Sequence, residues 1–369
     1  MVQRFLLVIG CLFAFSWISA QTRPPVRIAV AGISHGHASW ILNRPVKGDI
    51  SLTGIYEQDK DLVSKTLRNN SKLAKELFYD DLDKMLEAVK PEAVVAFGSI
   101  YDHLAVVRAC APRGIHVMVE KPLAVSVEHA KEMQMLAKKF NIYLLTNYET
   151  SWYPATVKAE ELVADSNYTG GLLKAVFHHG HEGPREIGVS NEFFEWLTDP
   201  VKNGGGAVID FGCYGANIMT WLMKGETPVS VTATLKHFKP GIYPKVDDDA
   251  VIIVQYKNAE AIIQASWNWP FSRKDMALYG KTGYIATVNS TDMHIRRNTD
   301  KKEYIAKYDA ATVKVYQDPF TYFADVIREK IKMEDFGLYN LDNNMLVVQI
   351  LEAAKRSAET GKTVYLEKL

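Results

Sequence analysis

The residues with the clearest chemical potential are Glu120-Lys121-Pro122, which close an apolar, β-branched run over residues 115–119. Such a run reads as a buried parallel strand. Pro122 offers no N–H to a sheet ladder and holds Lys121 extended, so the strand must stop there. A lysine at the carboxyl end of a parallel strand lies on the rim where open α/β sheets bind ligands. Taken alone, it is equally compatible with a solvated strand-to-helix loop.

A second constellation follows the first expected strand: Gly32-Ile33-Ser34-His35-Gly36-His37. A dinucleotide loop uses glycines for its tight turn, for close approach to the pyrophosphate and for helix packing. Only the first is in place here, with Ser34 and His37 where the second and third would stand. Glu57 ends the next expected strand, where an acid would take the ribose hydroxyls of NAD and repel the additional phosphate of NADP. The expected cofactor contacts are therefore Gly32, Ser34, His35, Gly36, His37, Glu57, Glu120 and Lys121. His178, His179 and His181 form a polar cluster in which alternate residues of an extended segment share a face. They are expected to contact substrate, together with Trp196, and no metal is expected because no distant carboxylate partner is evident.

In this order the motifs resemble the family of glucose–fructose oxidoreductase, inositol dehydrogenase and related NAD(P)-dependent sugar dehydrogenases. The resemblance runs over nearly all of the chain beyond residue 20, and Glu120-Lys121-Pro122 is its most specific part. It implies a Rossmann domain, an open-faced α/β domain and an active site between them, with Lys121 at the substrate hydroxyl and nicotinamide ribose. A second family motif, usually Asp, Gly, His, Asp, is similar to Asp210, Gly212, Tyr214 and Asn217. Tyrosine in the histidine position implies the branch in which a tyrosine handles the proton.

Elementary chemistry agrees with that implication. Residues 207–223 read as one helix, on which Asp210 and Tyr214, four apart, share a face. Oxidising an alcohol needs a base for the hydroxyl proton, and a lysine cation near a phenol of ordinary pKa about 10 would draw it towards the working range. The expected catalytic residues are Lys121, Tyr214 and Asp210.

The elements that must hold these groups fall into two patterns. Strand-like and helix-like runs alternate up to residue 147, which specifies a parallel sheet covered on both faces. Beyond it, helices and β-rich runs segregate, with expected antiparallel strands at 229–238, 250–256 and 261–267 and closing helices at 320–330 and 341–358. The expected fold class is α/β, a Rossmann domain (21–147) followed by an α+β domain (148–369) with an open, mainly antiparallel sheet. The triplet Asp247-Asp248-Asp249 reads as a solvated turn.

Of 369 residues 47% are hydrophobic and 23% charged, with 43 basic against 43 acidic. That balance gives no reason to expect nucleic acid or an anionic membrane as partner. Arg4, an apolar run over 5–18 and Ser19-Ala20-Gln21 have the parts of a secretory signal peptide, expected to be cleaved after Ala20. The mature chain would be periplasmic or secreted, with no membrane association. Cys110 and Cys213, each in an apolar helical segment, are expected to be small buried residues. The expected activity is hydride transfer between nicotinamide and a hydroxyl-bearing carbon of a sugar or polyol, with NAD (or NADP) tightly held and a homodimeric or tetrameric assembly. The alternatives are a glycoside-cleaving enzyme working by oxidation and elimination, and a sugar-binding relative without catalysis.

Overall fold

The computed structural model describes residues 23–165 and 168–367, so the expected signal peptide lies outside the described residues. Six short runs build the first sheet: β1 (Val26–Ala31), β2 (Ile50–Tyr56), β3 (Phe78–Tyr79), β4 (Ala93–Ala96), β5 (His116–Glu120) and β6 (Leu144–Asn147). Their order is β3-β2-β1-β4-β5-β6 and every pairing is parallel. Burial explains the sequence pattern, since β4 is buried at all four positions and must be apolar on both faces. The order in which strands are added reverses between β1 and β4, which opens the crevice where a doubly wound sheet takes its ligand.

The second sheet has nine strands: β7 (Leu172–Gly180), β8 (Ser230–Lys236), β9 (Asp249–Gln255), β10 (Glu260–Ser266), β11 (Arg273–Gly280), β12 (Gly283–Thr287), β13 (Asp292–Arg297), β14 (Tyr304–Lys307) and β15 (Val364–Tyr365). Only β7 and β10 pair in parallel, the rest antiparallel. One face packs on the helices Gly212–Leu222 and Leu341–Thr360, burying Phe177, Ile252, Ile263, Met276 and Ile285. The other carries a row in register across eight strands, Thr232, Ile253, Ile262, Val176, Ala277, Ala286, His294 and Ile305. Strands β11 to β14 are absent from the sequence expectation. Charged residues such as Arg273, Asp275, Arg296 and Arg297 interrupt them, as a half-open sheet allows.

The first sheet ends at Asn147, yet Phe320, Phe323 and Ala324 from helix Pro319–Ile327 pack into its core beside Val26, Ile28 and Ile55. Met345 and Val348 of the last long helix reach its other face. The C-terminal chain therefore returns to clamp the first domain, fixing the cleft between the two sheets. Among the described residues no helix is long and apolar enough to cross a membrane. Cys110 and Cys213 are both free and buried.

Candidate active site

At the crevice a cavity of about 320 Å³ is lined by Gly32, Ser34, Glu57, Gly98 and Asp102. Gly32 has φ of +76°, and a Cβ there would lie 2.8 Å from the Gly98 backbone, so two loops meet where a side chain has no room. Glu57 accepts the backbone N–H of Ile33 at 3.0 Å through one oxygen and that of Asp59 at 3.0 Å through the other. Each oxygen keeps a lone pair, so the carboxylate can brace its loop and still accept ribose hydroxyls. These residues fit the adenosine half of a dinucleotide.

Nearer the second sheet, His35, His37 and Glu120 bring their ligand atoms within 4.8 Å of one another. His37 Nδ1 lies 3.2 Å from Glu120, whose other oxygen accepts from Asn147 at 2.6 Å. Burial pushes the Glu120 carboxyl up, but His37 and the Asn147 hydrogen bond outweigh it and hold it at about 2. His35 Nδ1 accepts the His37 backbone N–H at 3.0 Å. A neutral imidazole accepting there carries its proton on Nε2, which disfavours metal ligation by that nitrogen. Burial, with His37 adding to it, keeps His35 uncharged by lowering its pKa well below the usual histidine value.

Lys121 leaves the end of β5 buried, and its ammonium donates to the Asp210 carboxylate and, at 3.0 Å, to the Asp210 carbonyl. Trp267 Nε1 donates to the second carboxylate oxygen at 2.9 Å. Burial alone would neutralise both groups; each stays charged because the partner's opposite charge outweighs that cost, raising Lys121 and lowering Asp210. The same contact corrects the expected single helix. The chain forms Ala207–Asp210 and Gly212–Leu222, interrupted at Phe211, and Tyr214 N bonds to Phe211 O while the Asp210 carbonyl faces the lysine.

Asp247 holds the start of that broken helix, accepting from Gly206 N at 2.9 Å and Val208 N at 2.7 Å. Asp248 is wholly buried and accepts from Phe238 N at 2.8 Å. The triplet is thus a buttress rather than a solvated turn. Gly206 is required there, because a Cβ would stand 1.8 Å from the Asp247 carbonyl oxygen.

Tyr214 presents its ring to two cations, Lys121 Nζ at 5.2 Å and Lys274 Nζ at 5.6 Å from the centroid. The expected lowering of its pKa is overturned. Burial pushes the phenol well above its ordinary value, and Glu149, the leading charge, pushes it the same way. Lys121 cannot reverse this because its charge is compensated by Asp210.

Strand alternation sorts the histidines. His179 is buried with its ring 5.7 Å from that of Tyr214, and His181 packs edge-on to Phe211 at 4.9 Å. His178 points to the opposite, open face and pairs with Asp275 at 3.0 Å, so its expected place beside the other two is corrected. Trp196 is also displaced from the substrate side. It belongs to a helix missed in the sequence, Asn191–Leu197, and its Nε1 donates to Ser34 at 3.1 Å over the nucleotide loop. A capping serine, Ser190, before Asn191 was the available signal. Lys274 and Glu149, paired at 2.7 Å, are functional candidates that sequence reasoning missed. No motif marks them, since only cross-strand register places Lys274 opposite His179.

Residues 26–148 match the oxidoreductase family with the NAD-binding Rossmann fold, and residues 156–286 match the Gfo/Idh/MocA C-terminal domain. The chain belongs to the Gfo/Idh/MocA family. Its Rossmann domain is thus of the family's NAD-binding type. Among Gfo/Idh/MocA relatives, trans-1,2-dihydrobenzene-1,2-diol dehydrogenase of Xenopus tropicalis is 28% identical over 194 residues, 52% of this chain and 54% of that protein. The D-glucoside 3-dehydrogenase of Escherichia coli K12 is 27% identical over 221 residues, 58% of this chain and 59% of that protein. The chain therefore spans somewhat over half the length of the curated relatives it matches. The solved structure of an inositol dehydrogenase homolog complexed with NAD+ from Azotobacter vinelandii superposes with a TM-score of 0.77 at 16% identity, covering 94% of this chain and 98% of that one. At that identity the likeness concerns fold.

Proposed function

We propose that this chain is an exported NAD(P)-dependent dehydrogenase acting on a hydroxyl of an uncharged sugar, glycoside or polyol. The observation that carries the reading is the convergence of Tyr214 with the buried Lys121–Asp210 pair at the end of β5, next to the dinucleotide crevice. Both lysines beside Tyr214 are paired with carboxylates, which favours a neutral polyhydroxy substrate over an acid. Relatives named for D-glucoside and D-xylose support the same class.

Gly32, Ser34 and Glu57 would hold the adenosine half of the cofactor, and Glu120 and Lys121 the nicotinamide end, which supplies the hydride acceptor. In the direction of keto-sugar reduction Tyr214 enters protonated, and in the direction of oxidation it enters as the phenolate. A keto-sugar oxygen takes its proton as hydride reaches the carbon, and oxidation retraces the path with the hydroxyl proton returning to Tyr214. Lys121 keeps a fixed positive charge beside the developing alkoxide, and Asp210 with Trp267 fixes its position.

Tight retention of cofactor is supported by helix Asn191–Leu197. It reaches from the second domain over the loop through Trp196 to Ser34, and through Glu192 to Lys65 at 3.0 Å. Pairing of chains through the open sheet face is supported by exposed Val251, Val288 and Ile305.

The test begins with the chain expressed with residues 1–20 in place. N-terminal sequencing of the exported protein should start at Gln21, and light scattering should give a dimer or tetramer. Acid-released nucleotide should be NAD. Reduced-nicotinamide absorbance against D-glucose, D-xylose and methyl glucosides should rise for at least one substrate. Replacing Tyr214 by Phe should then cost about 10²–10⁴-fold in turnover with an unchanged melting temperature; near-normal turnover removes Tyr214 from the proton step. Release of aglycone without an external acceptor would move the reading to oxidation followed by elimination.

A further inference from the structure

Lys274 enters the site from a strand that no family motif marks. On β11 the residues Lys274, Met276 and Leu278 face the helices, and Lys274 stands directly opposite His179 of β7. Its ammonium donates to Glu149 Oε2 at 2.7 Å, while Glu149 Oε1 accepts the Tyr153 hydroxyl at 2.5 Å. Glu149 follows β6 by two residues, so the pair ties the edge of the first sheet to the second across the cleft.

The two lysines at Tyr214 differ in what they have left to give. Lys121 is buried and places two of its three donors on the carboxylate and the carbonyl of Asp210. Lys274 has one hydrogen-bond acceptor in the structure, and its side chain is 23% exposed. An ammonium has three donors, so two remain. Lys274, Glu149 and Tyr153 also line a cavity of about 680 Å³ together with His178 and Asp275, and the Lys274 ammonium lies 5.6 Å from the centroid of the Tyr214 ring.

We infer that Lys274 is a substrate-positioning residue, donating from its free N–H groups to a sugar oxygen adjacent to the carbon undergoing oxidation, with Glu149 holding the ammonium in place. The inference rests on the dehydrogenase reading above and adds a residue and a contact to it. In the oxidation step the substrate loses hydride from carbon to the nicotinamide and its hydroxyl proton to Tyr214. Lys274 transfers nothing and orients the ring. The charged groups around the phenol are Glu149 after β6, Glu120 and Lys121 at the end of β5, Asp210 beside it, and Lys274 on β11; the Cys213 thiol, pushed up to about 12 by burial, and His179 and His181 stay neutral. Removing Lys274 or Glu149 therefore changes this field in opposite directions.

The experiment compares Lys274→Met, Lys274→Arg and Glu149→Gln with the wild type, all NAD-loaded. Readouts are calorimetric binding of D-glucose, D-xylose and methyl β-D-glucoside, and the pH profile of kcat/KM for whichever is oxidised. Lys274→Met should weaken sugar binding and raise KM about tenfold with a smaller change in kcat, and Lys274→Arg should restore part of it. The rising limb of the profile should move to higher pH in Lys274→Met and to lower pH in Glu149→Gln, a divergence that a merely structural pair would not produce. If the wild type oxidises a sugar while Lys274→Met keeps both KM and pH limb, Lys274 has no such role and the dehydrogenase reading stands. If the NAD-loaded wild type neither binds nor oxidises any of the three, the sugar reading falls and takes this inference with it.

Discussion

The two sides of the cleft hold their carboxylates by different means. On the cofactor side both Glu57 oxygens are satisfied by backbone amides of adjoining loops, at Ile33 and Asp59. On the substrate side Asp210 is satisfied by side chains 89 and 57 residues distant, Lys121 and Trp267, in a buried pocket. The first is a local loop module that tolerates loss of charge. The second is a closed network in which removing one member strands the others, because a buried charge without its partner keeps its desolvation cost.

That contrast can be broken most sharply at Asp210. Asp210→Ala should destabilise the protein by about 3–5 kcal/mol, leaving the Lys121 ammonium and the Trp267 N–H without their acceptor. A melting temperature within a degree or two of the wild type would show that the network relaxes as easily as the loop.

A second comparison uses one buried histidine from each side. Burial lowers His103, beside the cofactor cavity, to about 4, and His179, beside Tyr214, to about 3. Both values lie below the unfolded value of about 6.5, so the unfolded chain takes up these protons first as pH falls. Their contribution is complete above about pH 6.5 and is eroded towards each folded value, by about 2 kcal/mol per histidine between pH 7 and pH 5. Denaturant titrations at the two pH values should show this loss, and His179→Gln should remove about half of it. An unchanged pH slope in that variant would mean that His179 is charged in the folded state.

The smallest effect is expected on the local side. Glu57→Gln keeps an acceptor for the loop amides and should change stability by less than about 1 kcal/mol. It should weaken NAD relative to NADP about tenfold, measured as the ratio of dissociation constants, because the repulsion of an additional phosphate is lost. An unchanged ratio would place cofactor choice in other residues of the cavity.

The chemistry of the chain was legible where it coincides with a strand end. Lys121 follows a run buried on both faces, so both the strand and its terminus stand out, whereas the strand before Glu57 is only half-buried and carries Ser51 and Thr53. Tyr214 and Asp210 were marked by the resemblance to a family motif, with which their spacing agrees, although the geometry that joins them is a helix break with the Asp210 carbonyl turned to Lys121 rather than one continuous helical face. His178 and Trp196 were misplaced because residue type does not say which face of a strand is exposed or which domain a helix covers. The strands β11 to β14 were missed because a sheet open on one face admits Arg, Asp and His in its strands.

By itself the sequence determined the parallel first sheet, the crevice at its carboxyl edge and the identity of Lys121, because period and strand termini are local properties of the chain. It also determined that Cys110 and Cys213 are buried, since both lie in apolar helical runs. Only the tertiary structure decided that Lys274 meets Tyr214, that Asp247 braces Asp210's helix, and that the phenol is raised rather than lowered. Those outcomes depend on cross-strand register, on pairs far apart in the chain, and on the balance between burial and charge. None of these is written in any single stretch of residues.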